Sequence, residues 1–203
     1  MNVIDEIFKK TSSCSEYSRS YAAYLSRLMS GLDFQLVQKI SDIFEEARQK
    51  GKTVFCVGNG GSAATASHLA TDLGWGTRLE GAVRSRAVSL TDNTPYLTAI
   101  ANDAGYENSF VEQMRGLFQR GDILVAISAS GNSENVLRAI RYANENGGVS
   151  IGLAGFDGGK MKSECQLCLH IETKAGEYGP VEDVHHSICH IVTTYLRLKR
   201  LNS

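Results

Sequence analysis

The chain has 203 residues, 42% hydrophobic and 21% charged, with a formal net charge of −1. That length is enough for one domain with a full hydrophobic core. The near-neutral balance removes any whole-chain electrostatic reason to expect nucleic acid or an anionic membrane as partner, so an anionic ligand must be held by local geometry, which favours a small molecule.

The opening residues, Met-Asn-Val-Ile-Asp-Glu-Ile, lack the basic start and apolar run of a signal peptide. No stretch approaches the roughly 20 apolar residues of a membrane span, so a cytoplasmic protein is expected. From Ser13 onward, Tyr17, Tyr21, Tyr24, Leu25 and Leu28 recur at helical spacing until Gly31. Asp33 is placed to cap a second helix that turns Leu36, Ile40, Ile43, Phe44 and Ala47 inward and stops at Gly51. Beyond this helical extension, residues 1–50, the pattern alternates. Strands are predicted at Thr53–Val57, Arg86–Leu90, Ile123–Ile127, Ser150–Ala154 and Gln166–Ile171. Helices are predicted near Ser62–Leu73, Thr94–Asn102, Glu107–Phe118 and Ser133–Asn146.

The strands are short continuous apolar runs, as expected where helices cover both faces of a sheet. Strand–helix alternation then argues for an α/β fold: a doubly wound, Rossmann-like parallel sheet of five strands in residues 51–203, the whole chain forming a single domain. Pro95 and Pro180 both sit where a helix can begin. The closing segment, about Val181 to Lys199, reads as an amphipathic helix whose apolar stripe is Val181, Val184, Ile188, Ile191, Val192 and Tyr195. Its polar side carries His185, His186 and His190 with Glu182 and Asp183. Glu182, His186 and His190 fall within an arc of roughly 80° at helical spacing. The five cysteines, an odd number scattered through helix-like and strand-like segments, read as reduced thiols. Cys165 and Cys168 make one C-x-x-C without a second pair, which is weak support for a redox or zinc role.

Two turns carry the chemistry. Gly58-Asn59-Gly60-Gly61-Ser62 follows the first strand and opens a helix, where glycines let the backbone approach a ligand and unpaired N–H groups face an anion. It lacks the Gly-Lys-Ser/Thr ending of a P-loop and the third spaced glycine of a dinucleotide fingerprint, so taken alone it reads equally as a tight strand-to-helix turn. Ser128-Ala129-Ser130-Gly131-Asn132-Ser133 follows the third strand. Its three hydroxyls and a helix start suit a phosphate, although they also suit an ordinary turn and cap. His68 and Asp72, at i and i+4, meet on one helix face. They form either a local hydrogen bond or, joined by Glu182 and His190, a four-coordinate set for a zinc-like divalent ion. Nothing in the sequence itself brings those helices together.

Gly-Asn-Gly-Gly-Ser-Ala-Ala-x-Ala-x-His, then Ala-Asn-Asp-x-Gly at Ala101–Gly105, then Ile-Ser-x-Ser-Gly-Asn-Ser and a terminal helix with His together resemble the sugar isomerase (SIS) domain family. Within that family the resemblance is to the phosphoheptose isomerases, and it runs from about residue 34 to about 198 with motifs in the same order. It implies conversion of sedoheptulose 7-phosphate to D-glycero-D-manno-heptose 7-phosphate, for lipopolysaccharide, capsule or other heptose-containing products. It implies sugar contacts at Asn59, Gly60, Gly61, Ser62, Asp72, Asn102, Asp103 and Glu182, and phosphate contacts at Ser128, Ala129, Ser130 and Ser133. Zinc, one ion per site, would be held by His68, Asp72, Glu182 and His190, in a homotetramer with active sites between subunits.

Four positions depart from the family pattern. Asp72 replaces a glutamate, Glu182 a glutamine and Ala129 a threonine, and the arginine expected after the His68 helix is absent, with Arg78 nearby. The reaction requires a carboxylate base, a donor to the carbonyl oxygen and stabilisation of a developing oxyanion. Asp72 or Glu182 is the expected base at C1 and C2 through a cis-enediol, with His190 shuttling the hydroxyl proton. The alternatives are another ketose phosphate as substrate, or a non-catalytic SIS adaptor that binds a replication initiator protein.

Overall fold

The structure, a computed structural model, describes residues 1–202. Five strands form one parallel sheet in the order β2-β1-β3-β4-β5: β1 (Thr53–Gly58), β2 (Arg86–Ser89), β3 (Ile123–Ser128), β4 (Val149–Ala154) and β5 (Leu167–His170). β1 and β3 run side by side at the centre, Val54 opposite Ile123 and Gly58 opposite Ile127. Every residue of both strands is buried, which explains their unbroken apolar sequence. β2 behaves differently. As an edge strand it exposes Arg86 and Val88, so a helix does not cover both of its faces.

The starts of four helices follow from local chemistry. Asn2 caps α1 (Val3–Lys9) in a reciprocal box with Asp5, Ser13 caps α2 (Cys14–Ser30), and Asp33 caps α3 (Phe34–Gln49) by accepting from the Leu36 N–H. α3 is more than a preface. Its Val37, Ile40 and Phe44 share one core with Val54, Val125 and Ile151 of the sheet and with Ile188 and Val192 of the last helix. α4 (Gly61–Thr71) continues into a single π turn, Asp72–Gly76, where the Thr77 N–H reaches back to the Asp72 carbonyl. α5 (Thr94–Ala104) takes Pro95 in its first turn and an Asn93 cap.

The helix predicted at Glu107–Phe118 is broken. Gly105, at φ +91°, turns the chain into a 3₁₀ turn at Tyr106–Asn108, and only α6 (Val111–Arg115) follows, ending at Gly116. α7 (Glu134–Glu145) matches its prediction within a residue. α1 and α8 (Met161–Glu164), at 7 and 4 residues, are too short for an apolar periodicity to stand out in sequence.

The long α9 (Tyr178–Leu201) buries Val181, Val184, Ile188, Val192 and Leu196. Ile191 and Tyr195, assigned to that stripe from sequence, are instead 42% and 43% exposed. The stripe drifts along 24 residues, and the helix has solvent on the side where Ile191 and Tyr195 lie. His185, placed on the polar side from sequence, is fully buried. No helix among the described residues is long and apolar enough to cross a membrane. All five cysteines are free thiols, and burial pushes Cys168 up to about 11. The C-x-x-C pair lies against Gly152, where a Cβ would meet both sulfurs, so its place is in packing.

Candidate active site

The chain passes from β1 outward to β2 on one side, and its later strands β3–β5 lie on the other, so the order reverses between β1 and β3. Crevices at such a switch point, outside the carboxyl ends of the strands, are where open α/β sheets bind ligands. Both motif turns leave from here: the glycine turn after β1 and the serine turn after β3. Asn59 fastens them together. Its side-chain amide exchanges two hydrogen bonds of 2.9 Å with buried Asn135 in the first turn of α7, and its oxygen also accepts from the Tyr106 hydroxyl at 2.7 Å. Asn135 and Tyr106 were not singled out from sequence. Their partnership with Asn59 exists only across the β1–β3 crevice.

Neither turn caps its helix with a side chain. At α4 the cap position is Gly60, at φ +55°, a conformation glycine adopts without strain. Gly61 leaves room for a neighbour: a Cβ there would collide with the carboxylate of Glu182 from α9. The start of α4 thus already holds an anionic group. Burial and the adjacent Asp183 raise the Glu182 carboxyl above its ordinary range. Ser62 is buried beneath this turn.

In the serine turn, the Gly131 N–H donates to Ser128 Oγ at 3.2 Å and the Asn132 N–H to Ser130 Oγ at 3.3 Å. Gly131 has φ +62°, and a Cβ there would strike the Gly158 carbonyl. Ala129 and Ser128 are buried, while Ser130 and Ser133 are half-exposed at the mouth. Asn102 and Asp103, both exposed near the end of α5, bond to each other at 2.7 Å. They lie just before the turn that delivers Tyr106 to Asn59. Arg78, the candidate replacement for the missing arginine, is committed elsewhere: its guanidinium stacks 3.5 Å from the Trp75 ring centroid and donates to the Trp75 carbonyl.

Along the seam between α4 and α9 a second cluster forms. His68 Nε2 lies 2.8 Å from His190 Nε2 and 3.2 Å from Asp72 Oδ2, which also accepts from the Thr193 hydroxyl. The third member is His186, whose ring centroid is 4.4 Å from that of His68 and 4.7 Å from that of His190. One nitrogen from each of the three imidazoles lies within 4.8 Å of the others. Glu182 does not join this set.

The reason is register. The two helices run in the same direction, Glu182 beside Gly61, His186 and His190 beside His68, and Thr193 beside Asp72. Eight residues separate Glu182 from His190, a rise of about 12 Å. His186 was visible as the residue one turn from both, yet only the α4–α9 contact shows which face it shares. His185, next to it, is buried with neither ring nitrogen reaching a partner at hydrogen-bonding geometry. Burial pushes it down to about 4, opposed by the nearby Ala154 carbonyl.

The doubly wound sheet, with a glycine turn and a serine turn at its switch point, is the α/β architecture of the SIS domain family, whose model matches residues 16–155. On sequence the chain belongs, within that class, to the phosphoheptose isomerase family. It is 43% identical over 145 residues to phosphoheptose isomerase of Rhodospirillum rubrum, covering 71% of this chain and 75% of that one. To the phosphoheptose isomerase of Pelobacter propionicus it is 35% identical over 190 residues, covering 94% and 95%. The solved structure of phosphoheptose isomerase from Neisseria gonorrhoeae superposes with a TM-score of 0.80 at 29% identity, covering 91% of this chain and 98% of that one.

Proposed function

We propose that this protein is an aldose–ketose isomerase that converts sedoheptulose 7-phosphate to D-glycero-D-manno-heptose 7-phosphate. The observation that carries this reading is the carboxylate of Glu182 held over Gly61, in the turn that faces the sugar. With the start of α4 already occupied by that carboxylate, the phosphate goes to the other uncapped helix start, at α7. There the hydroxyls of Ser128, Ser130 and Ser133 and the backbone N–H groups bind it without a fixed positive charge. Asn59, fixed by Asn135 and Tyr106, and the Asn102–Asp103 pair orient the sugar hydroxyls.

Glu182 takes the proton from C1 of the ketose to give the cis-enediol and returns a proton to C2, while the hydroxyl proton passes from O1 to O2, so the aldose forms with no external oxidant or reductant. Burial and the adjacent Asp183 raise this carboxyl, which makes it a stronger base toward a carbon acid. Asp72, one methylene shorter than the family's glutamate, is engaged by His68 and Thr193. It positions His68 and leaves proton transfer at carbon to Glu182.

The imidazole nitrogens of His68 and His190, with the Asp72 carboxylate beside His68, fit the donor chemistry of a zinc-type ion. A divalent ion held there would polarise the sugar's carbonyl oxygen, a task that otherwise falls to a hydrogen bond from His190.

A substrate whose phosphate keeps it from crossing membranes unaided supports a cytoplasmic reaction. Exposed Ile191, Tyr195 and Leu198 on α9, beside His190, supply an apolar strip suited to subunit contact in a homotetramer. A second reading, isomerisation of a different ketose phosphate, is favoured by the missing hydroxyl at Ala129 and the commitment of Arg78 to Trp75. A SIS adaptor that only binds a partner protein has no need of the Glu182 placement.

The test is incubation with a panel of ketose phosphates in D₂O, followed by NMR. Aldose formation from sedoheptulose 7-phosphate, with deuterium entering at C2, is the expected result. Conversion of another member alone would install the second reading. Turnover of none would defeat the isomerase assignment.

A further inference from the structure

We propose that His186 is the third nitrogen ligand of the divalent ion, so that the ion is held by His68, His186 and His190 with Asp72 beside them, and Glu182 is left free as the base. This rests on the reading that the α4–α9 seam binds a divalent ion, and it changes which residues of α9 do so.

Three observations carry it. First, among the described residues the side chains whose donor atoms converge to within 4.8 Å of one another are His68, His186 and His190. Ligands at about 2.0–2.1 Å around a tetrahedral ion lie about 3.3 Å from one another, so small rotations close the set. Secondly, the three rings pack edge-on and tilted at centroid distances of 4.4, 4.7 and 4.8 Å, and two ring nitrogens face each other at 2.8 Å. Two imidazole lone pairs cannot face each other without a proton or a cation between them. Three rings arranged this way suit a cation better than they suit each other.

Thirdly, helical geometry separates the duties. His186 and His190, at i and i+4, present their rings on one face of α9 to the same point on α4. Glu182 lies a further turn toward the start of both helices, against Gly61. A glutamate stretched to the ion would leave the sugar-facing turn. With a third imidazole available, it can remain there. The consequence is a chain with two separate carboxylate roles, Asp72 at the ion and Glu182 at the carbon acid.

The experiment titrates the metal-free full-length protein with Co²⁺, reading visible absorption and stoichiometry, and then displaces Co²⁺ with Zn²⁺. Wild type should bind one Co²⁺ per chain with the intense bands of four-coordinate cobalt. His186→Asn should weaken binding at least about 100-fold, comparably to His190→Asn, and His186→Cys, which restores a donor, should recover affinity and shift the spectrum toward thiolate ligation. Glu182→Ala, which leaves no donor at that position, should bind Co²⁺ within about threefold of wild type. Circular dichroism of the metal-free variants checks that each is folded.

If His186→Asn binds like wild type while His68→Asn and His190→Asn lose the ion, the His186 assignment is overturned and the metal reading stands. If Glu182→Ala loses the ion as severely as His190→Asn, Glu182 is a ligand and the division of roles is overturned. If wild type binds no cobalt, both the metal reading and the assignment built on it are overturned.

Discussion

The turns after β1 and β3 are nearly the same object. Each leaves the carboxyl end of a fully buried central strand, each starts a helix without a side-chain cap, and each contains a glycine at positive φ. They differ in what the rest of the fold brings to them. At α4 the last helix lays the Glu182 carboxylate over Gly61, whereas the serine turn at α7 is furnished by its own hydroxyls. On the proposed function, equivalent local geometry serves as the reaction end in one place and the phosphate end in the other. The deciding factor is a helix more than a hundred residues away in sequence.

That contrast can be broken most sharply at Glu182. Replacing it with Gln keeps the shape and removes the base, so kcat should fall about 10³-fold with KM little changed, as measured by steady-state isomerisation. A mutant that retains wild-type kcat would show that the first turn is no different in kind from the second.

The next effect is on stability and concerns how α9 is anchored. His185 is held neutral by burial, at about 4 against 6.5 when free. The unfolded chain therefore binds the proton more readily than the folded one. The stabilisation is complete above about pH 6.5 and is lost as pH falls toward 4, amounting to about 3 kcal/mol. Urea unfolding of metal-free protein across that range should show the loss, and His185→Phe should flatten it.

A smaller change comes from Gly61→Ala. The new methyl collides with the flexible end of Glu182 and not with backbone, so folding should be little affected. The displaced carboxylate should cost about 100-fold in kcat, since about 1 Å of misplacement is enough for that. Comparing its melting temperature with its turnover separates the two. The smallest effect belongs to the other turn. Ser130→Ala removes one hydroxyl donor to a charged group, worth about 1.4 kcal/mol, and should raise KM about tenfold with kcat nearly unchanged.

Much of this was legible before folding. The unbroken apolar runs at Thr53–Gly58 and Ile123–Ser128 announce buried parallel strands, and Ser13, Asp33 and Pro95 mark helix starts by local hydrogen-bonding or fixed φ. The two turns and the His68–Asp72 pair declare themselves through short-range chemistry. Less legible were the shortening of the helix predicted at Glu107–Phe118 to Val111–Arg115, the exposure of Val88 on an edge strand and the drift of Ile191 and Tyr195 to solvent. Each of these depends on what lies across space and not on the residue's own preference.

By itself, then, the sequence determined the alternation of strands and helices, the anion-facing turns and the residue types able to do isomerase chemistry, because these follow from backbone propensity and spacing within a few residues. Only the tertiary structure decided that Glu182 meets Gly61, that Asn59 is locked to Asn135, and that His186 joins His68 and His190. Those pairings are set by the register of α9 on α4 and by the adjacency of β1 and β3. Register is fixed by the packing of whole faces, which no local stretch of sequence contains.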